Sequence, residues 1–483
     1  MIDSIPGIGH KYKKARFNQE AGFFCKAQEF MGKYLNTTNK NFIRLLFKLA
    51  LPITLQNFLS SSMTFMDTLM IGQLNEAAIA AVGVANQFVF IFIIIQFGIH
   101  SGVAIFTAQY WGKKDLANIK KLAGIGLMAG LAIGSLFTFA AIIIPTALMS
   151  LFTKDPLVIG LGSDYLRIVG ISFGISVFTL SYMNNLRSME IVKTPMYASL
   201  IAVLLNLGLN YILIFGHLGF PAMGVIGAAI ATCISRFVEG FALMGMIYWK
   251  KYPIAASLSE MLDFDRVFLK KVLATCWPVF LNELVWVTGV SLYNLVYARI
   301  GTQSIAAVNI VASIENFMMI PFFGMFFSGS IIIGNSIGAG KPSEAYLYGK
   351  FLLAVQFSMA LVAGGIMILG RESILSFYNV SDGAYMKAYH LMFVAGIALC
   401  VKVTNFTNVV SVLRGGGDTR FGFFLDLTGV WCIGVPMALF AAFYLNLPVY
   451  WVMALVLTEE IYKLSLGLPR FLSRKWIQNL VKD

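Results

Sequence analysis

The sequence predicts an all-α polytopic membrane protein with 12 transmembrane helices in two pseudo-symmetric six-helix bundles. Apolar residues make up 58 % of the 483 residues and charged residues only 12 %, and a soluble chain of this length could not keep so much apolar surface from water. Long apolar segments recur along the chain, and residues 52–112 return without a gap as residues 278–338. Composition, apolar segments and repeat together indicate a duplicated helical membrane protein.

Each apolar segment is long enough to cross a bilayer as a helix, which takes about 20 residues. None shows the short alternating pattern of a membrane β-barrel strand. The predicted spans are 45–72, 83–110, 122–145, 158–183, 194–216, 223–247, 271–298, 309–336, 348–370, 388–412, 420–444 and 448–468.

The repeat relates the first two spans of each half at one constant offset. Pro52 matches Pro278, and the run Ile-Ala-Ala-Val at 79–82 returns at 305–308. Such repeats in apolar chains are typical of transporters built from duplicated bundles. Six spans per half is an even number, so both halves enter the membrane in the same direction. We therefore expect a pseudo-two-fold axis along the membrane normal.

Polar stretches divide the chain into segments. Residues 21–35 of the N-terminal tail combine aromatic residues with Lys and Glu; they form either an interfacial amphipathic helix or a solvated segment. The predicted segments are an N-terminal tail (1–44), an N-terminal bundle (45–247), a linker (248–270), a C-terminal bundle (271–468) and a C-terminal tail (469–483).

The net charge of +13 is distributed unevenly between the two sides of the predicted membrane protein. Lys and Arg concentrate in both tails and in the even-numbered loops, such as 113–121 and 250–271, whereas the odd-numbered loops carry few. By the positive-inside rule, both termini are cytoplasmic in a bacterial plasma membrane. The charge therefore indicates orientation and does not indicate a nucleic-acid partner.

Ionisable side chains at membrane depth are the informative residues, because each costs about 2.5–3.5 kcal/mol near the bilayer centre. Asp67 lies in span 1, Glu283 in span 7, Glu315 in span 8 and Asp426 in span 11. Such groups must face protein or a water-filled cavity. Each can take up a proton, hold a small cation, or make a structural hydrogen bond between helices.

Two further polar groups lie beside these acids. Asn282 precedes Glu283, at the position that matches Gln56 in the first half. Asn206 and Asn210 in span 5 are spaced i, i+4 and so share one helix face. Together with Asp67 they predict a polar site in the first half, although hydrogen bonding between helices explains them as well.

Enzyme signatures are absent from the sequence. The four histidines are scattered without an HExxH pattern, and the glycines at 415–417 follow no buried strand. No Walker motif is present, which excludes a self-contained ATP-driven pump. We therefore expect neither an enzyme nor a bound cofactor.

Four motifs give the chain a resemblance to the multidrug and toxic compound extrusion (MATE) family over residues 42–470. They are 66–72 (MDTLMIG), 206–216 (NLGLNYILIFG), Asn282-Glu283 after Pro278, and 413–420 (LRGGGDTR). Many DinF-like members carry aspartate at the position of Asn210, so the chain is more similar to the NorM-like branch. The resemblance implies two six-helix bundles around a central cavity, alternating access, and efflux driven by H⁺ or Na⁺.

The resemblance also implies roles for residues. Asp67, Asn206 and Asn210 would form a cation site in the first half. Glu283 would serve the second half with Asp418 and Asp426 as partners, and Na⁺ would bind at Glu283 or Asp67. The predicted function is an antiporter that exports amphipathic, mostly cationic organic compounds as a monomer in the lipid bilayer.

The alternative function is a lipid-linked oligosaccharide flippase of related architecture. A flippase needs a cavity rich in cationic residues for the pyrophosphate group. The predicted spans place Arg167, Arg236 and Lys402 at membrane depth, against at least four acids. This balance favours the antiporter.

Overall fold

The computed structural model describes residues 37–378 and 380–482, and the predicted interfacial segment 21–35 lies outside them. By its internal contacts, the described chain divides into two units between Lys48 and Leu49. Twelve long helices are labelled by span: α1 Thr37–Gly72, α2 Glu76–Lys113, α3 Leu116–Ile143, α4 Pro156–Ile171 with Phe173–Ser188, α5 Lys193–Phe215, α6 Gly224–Trp249, α7 Arg266–Ile300, α8 Thr302–Gly338, α9 Pro342–Leu369, α10 Asp382–Arg414, α11 Thr419–Tyr444 and α12 Val449–Leu472.

The twelve-helix prediction is confirmed, with irregularities in three spans. Among residues 37–378 and 380–482, ten helices are long and apolar enough to cross a membrane, and α4 is an eleventh that bends by 51° near Ser172. α12 is the twelfth; it carries Glu459, Glu460 and Lys463 in its middle. α10 and α11 contain π-helical stretches, Thr407–Arg414 in α10 and Thr428–Gly434 and Phe440–Tyr444 in α11.

The pseudo-two-fold relationship appears directly in the contacts between the two halves. A side chain at Gly112 of α2 would collide with the backbone carbonyl of Asn335 in α8, and one at Gly338 would collide with that of Gln109. Gly112 and Gln109 match Gly338 and Asn335 at the repeat offset. The same two-fold operation therefore brings these backbones together twice.

A second matched pair of contacts lies deeper in the membrane. Gly98 of α2 packs against Phe280 of α7, and its repeat partner Gly324 of α8 packs against Thr54 of α1. Thr54 and Phe280 are themselves repeat partners. We call the helix ends that carry loops 113–121 and 250–271 the basic end. The two halves pack against each other from Gly98 to the basic end.

The linker between the halves docks on α3. Lys120 pairs with Glu260 at 2.5 Å and Lys121 with Asp263 at 3.1 Å. A side chain at Gly124 would collide with the Met261 carbonyl, so the linker backbone lies directly on the helix. Lys120 and the hydrogen bond from Ser257 lower the pKa of the Glu260 carboxyl to about 2.

The segment after α12 joins both halves at the basic end. Trp476 is fully buried. Gln109 of α2 donates to the Gln478 carbonyl at 3.0 Å and accepts from the Leu480 amide at 2.8 Å. The Gln478 amide donates to the carbonyl of Gly416, in the turn between α10 and α11, at 2.8 Å. We call residues 473–482 the C-terminal strap.

Candidate functional site

The first-half cluster forms as the sequence predicts. Asp67 on α1 is 8 % exposed, and Asn206 and Asn210 on α5 are fully buried. The Asn210 amide nitrogen donates both to Asp67 Oδ1, at 2.5 Å, and to Asn206 Oδ1, at 3.1 Å. The i, i+4 spacing thus places both amides on the face of α5 that meets α1.

This cluster holds a carboxylate without a basic partner. Among the described residues, no Lys, Arg or His forms an ion pair with Asp67. Within the described part of the chain, the buried acceptor Asn210 Oδ1 and the buried donor Asn206 Nδ2 have no hydrogen-bond partner. Because buried polar atoms are normally paired, the open acceptor gives the cluster unused capacity for a proton or a small cation.

In the second half, Glu283 pairs with an arginine. Arg414 Nη2 lies 2.8 Å from Glu283 Oε1, and both side chains are nearly buried. Arg414 Nη1 also donates to Ser101 Oγ of α2 at 3.2 Å. The ion pair therefore sits where the second half meets the first, just beyond the contact of Gly98 with Phe280.

The first half contains an arginine in a related position, with an amide in place of the carboxylate. Arg187 Nη2 donates to Gln56 Oε1 at 2.6 Å. Gln56 Nε2 donates to Ser199 at 2.9 Å, and Ser199 donates to Glu239 at 2.7 Å. Arg236 completes the chain as the ion-pair partner of Glu239 at 3.0 Å. Four helices, α1, α4, α5 and α6, meet in this network.

A denser network joins α7, α11 and α12. Asn282 Nδ2 donates to Asp426 Oδ2 at 2.7 Å. Lys463 Nζ lies 2.9 Å from Asp426 Oδ1 and 2.6 Å from Glu459 Oε1. The Tyr293 hydroxyl donates a short hydrogen bond to Glu459 Oε2. Each of the four carboxylate oxygens thus has one donor.

The remaining two predicted acids are held in separate ion pairs. Glu315 of α8 pairs with Lys402 of α10 at 2.6 Å. Asp418, in the turn before α11, pairs with Arg470 at 2.7 Å and accepts from Gln478 of the C-terminal strap at 3.2 Å. Asp418 therefore stabilises the basic end, and the structure gives Glu283 the partner Arg414 instead.

Two cavities lie at or near the basic end. One of about 500 Å³ separates α3 from the linker and is lined by Lys120, Lys251 and Glu260 among others. The other, about 40 Å³, lies between the halves and is lined by both Arg187 and Arg414. None of the eight predicted site residues lines either of these two cavities.

A sequence model of the MatE family matches residues 52–212 and again residues 278–440. The chain belongs to the MatE family. The second match begins at Pro278, the repeat partner of Pro52, so each half carries one copy of the MatE domain. Members of this family are membrane transporters and not enzymes, in agreement with the sequence prediction.

Relatives of the MatE chain cover nearly its whole length. It is similar to the uncharacterized transporter YisQ of Bacillus subtilis, with 25 % identity over 441 residues, 90 % of this chain and 95 % of that protein. It is also similar to the probable multidrug resistance protein NorM of Thermotoga maritima, with 24 % identity over 442 residues, 90 % and 93 % of the two chains.

Solved structures of other MATE transporters share the fold. The Vibrio cholerae MATE transporter VcmN, in a mutant form, superimposes with a TM-score of 0.83 at 18 % identity, over 92 % of this chain and 99 % of that one. An outward-facing multidrug resistance MATE transporter gives 0.81 at 19 % identity, over 91 % and 96 %. Two pseudo-symmetric six-helix bundles are therefore the architecture of this MatE protein.

The sequence prediction missed Arg414 as the partner of Glu283 and Lys463 as the partner of Asp426. The i, i+4 spacing of Glu459 and Lys463 does indicate their local ion pair, which the structure contains, and Lys463 adds a base to Arg167, Arg236 and Lys402 within the predicted spans. Arg414 lies two residues beyond the predicted span 388–412, because the π-helical stretch extends α10 to that residue. Arg414 meets its acid across 131 positions of sequence, whereas Lys463 meets Asp426 from the next helix along the chain.

Proposed function

We propose that this MatE protein is a secondary active antiporter that exports amphipathic, mostly cationic organic compounds in exchange for H⁺ or Na⁺. The observation that carries the proposal is the buried carboxylate of Asp67, held by the amide of Asn210 and without an ion-pair partner among the described residues. The multidrug resistance names of relatives such as NorM support an organic substrate.

Asn210 suits a carboxyl group that changes its protonation state. In this amide orientation its Nδ2 donates to Asp67, which stabilises the ionised carboxylate. Rotating the amide by half a turn presents Oδ1, now without a partner, to a protonated Asp67, whose hydroxyl then donates. A cation at Asp67 would gain the same oxygen as a ligand. Asp67 is therefore the coupling residue of the first half.

Glu283 connects ion binding to the contact between the halves. Its charge holds Arg414, and Arg414 in turn holds Ser101 of the opposite half. Neutralising Glu283 removes the partner of a buried guanidinium, which then favours a state in which water reaches it. The basic end opens in that state, which gives alternating access with two states of different affinity for ion and substrate.

The basic end faces the cytoplasm of the bacterial cell in this proposal, because Lys and Arg concentrate in its loops. Both termini then lie in the cytoplasm. The packed contacts from Gly98 to Gly112 close the path on the cytoplasmic side. This conformation is the one that exchanges ion and substrate with the outside, and the protein works as a monomer.

The flippase alternative fits the geometry less well. Arg187 and Arg414 do line one cavity between the halves, as a pyrophosphate site would require. That cavity measures about 40 Å³ in this closed conformation, room for an ordered water. Arg414 is moreover neutralised by Glu283.

Dye transport in inside-out vesicles tests the proposal. We expect an imposed proton or sodium gradient to drive ethidium uptake, and Asp67→Asn to abolish it. The control is Asp164→Asn, because Asp164 also lies in a membrane helix but pairs with Arg167 at the half-exposed surface. Uptake that neither gradient drives, or that survives Asp67→Asn unchanged, would overturn the assignment.

A further inference from the structure

The ammonium group of Lys463 occupies the centre of the second-half network. It lies between two carboxylates of different helices, 2.9 Å from Asp426 and 2.6 Å from Glu459. The exposed fractions of the three side chains are 5 % for Lys463, 12 % for Asp426 and 5 % for Glu459. Carboxylate oxygens facing one another across a buried gap are the ligands that a small hard cation takes in proteins.

The helix opposite Lys463 is shaped to receive it. A side chain at Gly429 would collide with the Lys463 chain near Cε, and one at Gly434 would collide with Glu459 and the Tyr293 hydroxyl. Both glycines belong to the π-helical stretch of α11. Two positions without a side chain thus leave room for the lysine and the carboxylates that surround it.

The ammonium group of Lys463 is tethered beside the carboxylates and therefore competes well with a free sodium ion for them. Its effective concentration at the carboxylates is fixed by the chain and reaches the millimolar range or more for short tethers. The outer oxygens of the two acids are already taken by Asn282 and Tyr293. A sodium ion would therefore have to displace Lys463 and leave a buried ammonium without partners, which is strongly unfavourable.

We propose that Lys463 is the resident cation of the second half and excludes Na⁺ from Asp426 and Glu459. This inference rests on the proposed antiport and deepens it, since the mobile ion must then bind elsewhere. Glu283 is closed to a metal ion by Arg414 in the same way. Of the five acids that the sequence predicts, Asp67 in the first half is the one for which the described residues supply no ion pair.

Sodium binding to the purified full-length protein tests the role of Lys463. Radioactive sodium is titrated at constant pH and ionic strength, with choline as the replacing cation. We expect Lys463→Gln to bind more sodium than the wild type, and the gain to vanish in Lys463→Gln/Asp426→Asn. Lys402→Gln is the matched control: it also removes a lysine from an ion pair, but Lys402 bonds to one carboxylate, Glu315, and does not bridge two, so no gain is expected.

Two results would overturn the inference. One is a folded, monodisperse Lys463→Gln protein that binds no more sodium than the wild type. The other is sodium binding by the wild type that Asp426→Asn abolishes, a comparison that decides the question even where Lys463→Gln does not fold. Neither needs transport, so a failure of the antiport proposal in vesicles is recognised separately.

Discussion

Arg414 lies 2.8 Å from Glu283, and the same guanidinium reaches Ser101 in the other half of the molecule. Glu283, one of the acids that the sequence predicts as functional, is thus part of the contact between the two halves. A change in the charge of Glu283 therefore acts on the interface directly. In the proposed transport cycle, this one side chain links neutralisation of the acid to opening of the basic end.

Glu283→Gln should destabilise the protein, because it leaves Arg414 buried without its carboxylate. We expect a loss of about 3–5 kcal/mol in the free energy of unfolding, measured by thermal or denaturant unfolding in detergent. Glu283→Gln/Arg414→Gln should recover most of this stability but not transport. The control is Glu344→Gln, whose exposed pair with Lys341 should matter by less than about 1 kcal/mol. Equal stability of Glu283→Gln and wild type would contradict the buried pair.

Gly338→Ala should loosen the basic end, because the added methyl group meets the backbone of Gln109. We expect slower dye transport and faster maleimide labelling of Cys276, which is buried where α7 meets Gly102. The measurement uses a variant with Cys276 as its sole cysteine. Gly245→Ala is the control, since a side chain there meets nothing within 4 Å. The contact would be refuted if both variants labelled alike.

Trp476→Ala should detach the C-terminal strap. The side chain is fully buried, and truncating such an aromatic costs about 3–5 kcal/mol. The matched control is Trp249→Ala, because Trp249 is 80 % exposed at the end of α6. A melting temperature lowered equally by both changes would argue against a docked strap.

The pairing of Glu260 with Lys120 predicts how docking of the linker depends on pH. The carboxyl pKa falls from 4.5 to about 2, so the pair is complete above pH 4.5 and is lost only as the pH falls towards 2. Limited proteolysis within residues 250–265 should stay slow from pH 8 to pH 4. Cleavage should be faster in high salt, because salt screens the exposed ion pair. Glu260→Gln should be cleaved faster throughout this range. Cleavage that accelerates already near pH 4.5 would show that the pair does not form.

Much of the fold follows from patterns that the sequence displays openly. The repeat of residues 52–112 predicts the two-fold axis, and Gly112 and Gly338 show it in atomic contacts. The i, i+4 spacing of Asn206 and Asn210 predicts the cluster at Asp67. The repeat relates equivalent positions of the two halves, and the helical period of 3.6 residues places both amides on one face of α5.

The basic partners of the acids could not be predicted in the same way. Arg414 meets Glu283 across 131 positions of sequence, and Lys463 reaches Asp426 from another helix. Periodicity fixes the face of each helix but not its partner at a given depth. Docking of the C-terminal strap was not predicted for a related reason, because so short a segment shows no hydrophobic periodicity that would indicate a buried face.

The contacts at the basic end also bear on how the molecule folds. Gln109 bonds to Gln478 across 369 positions of sequence and touches Gly338 in the opposite half. Contacts of such separation form late, after local helix pairs have assembled, because the chain entropy of closing long loops opposes them. Each bundle is thus expected to assemble first and the interface last. The seam that is proposed to open during transport is then also the seam at which unfolding is expected to begin.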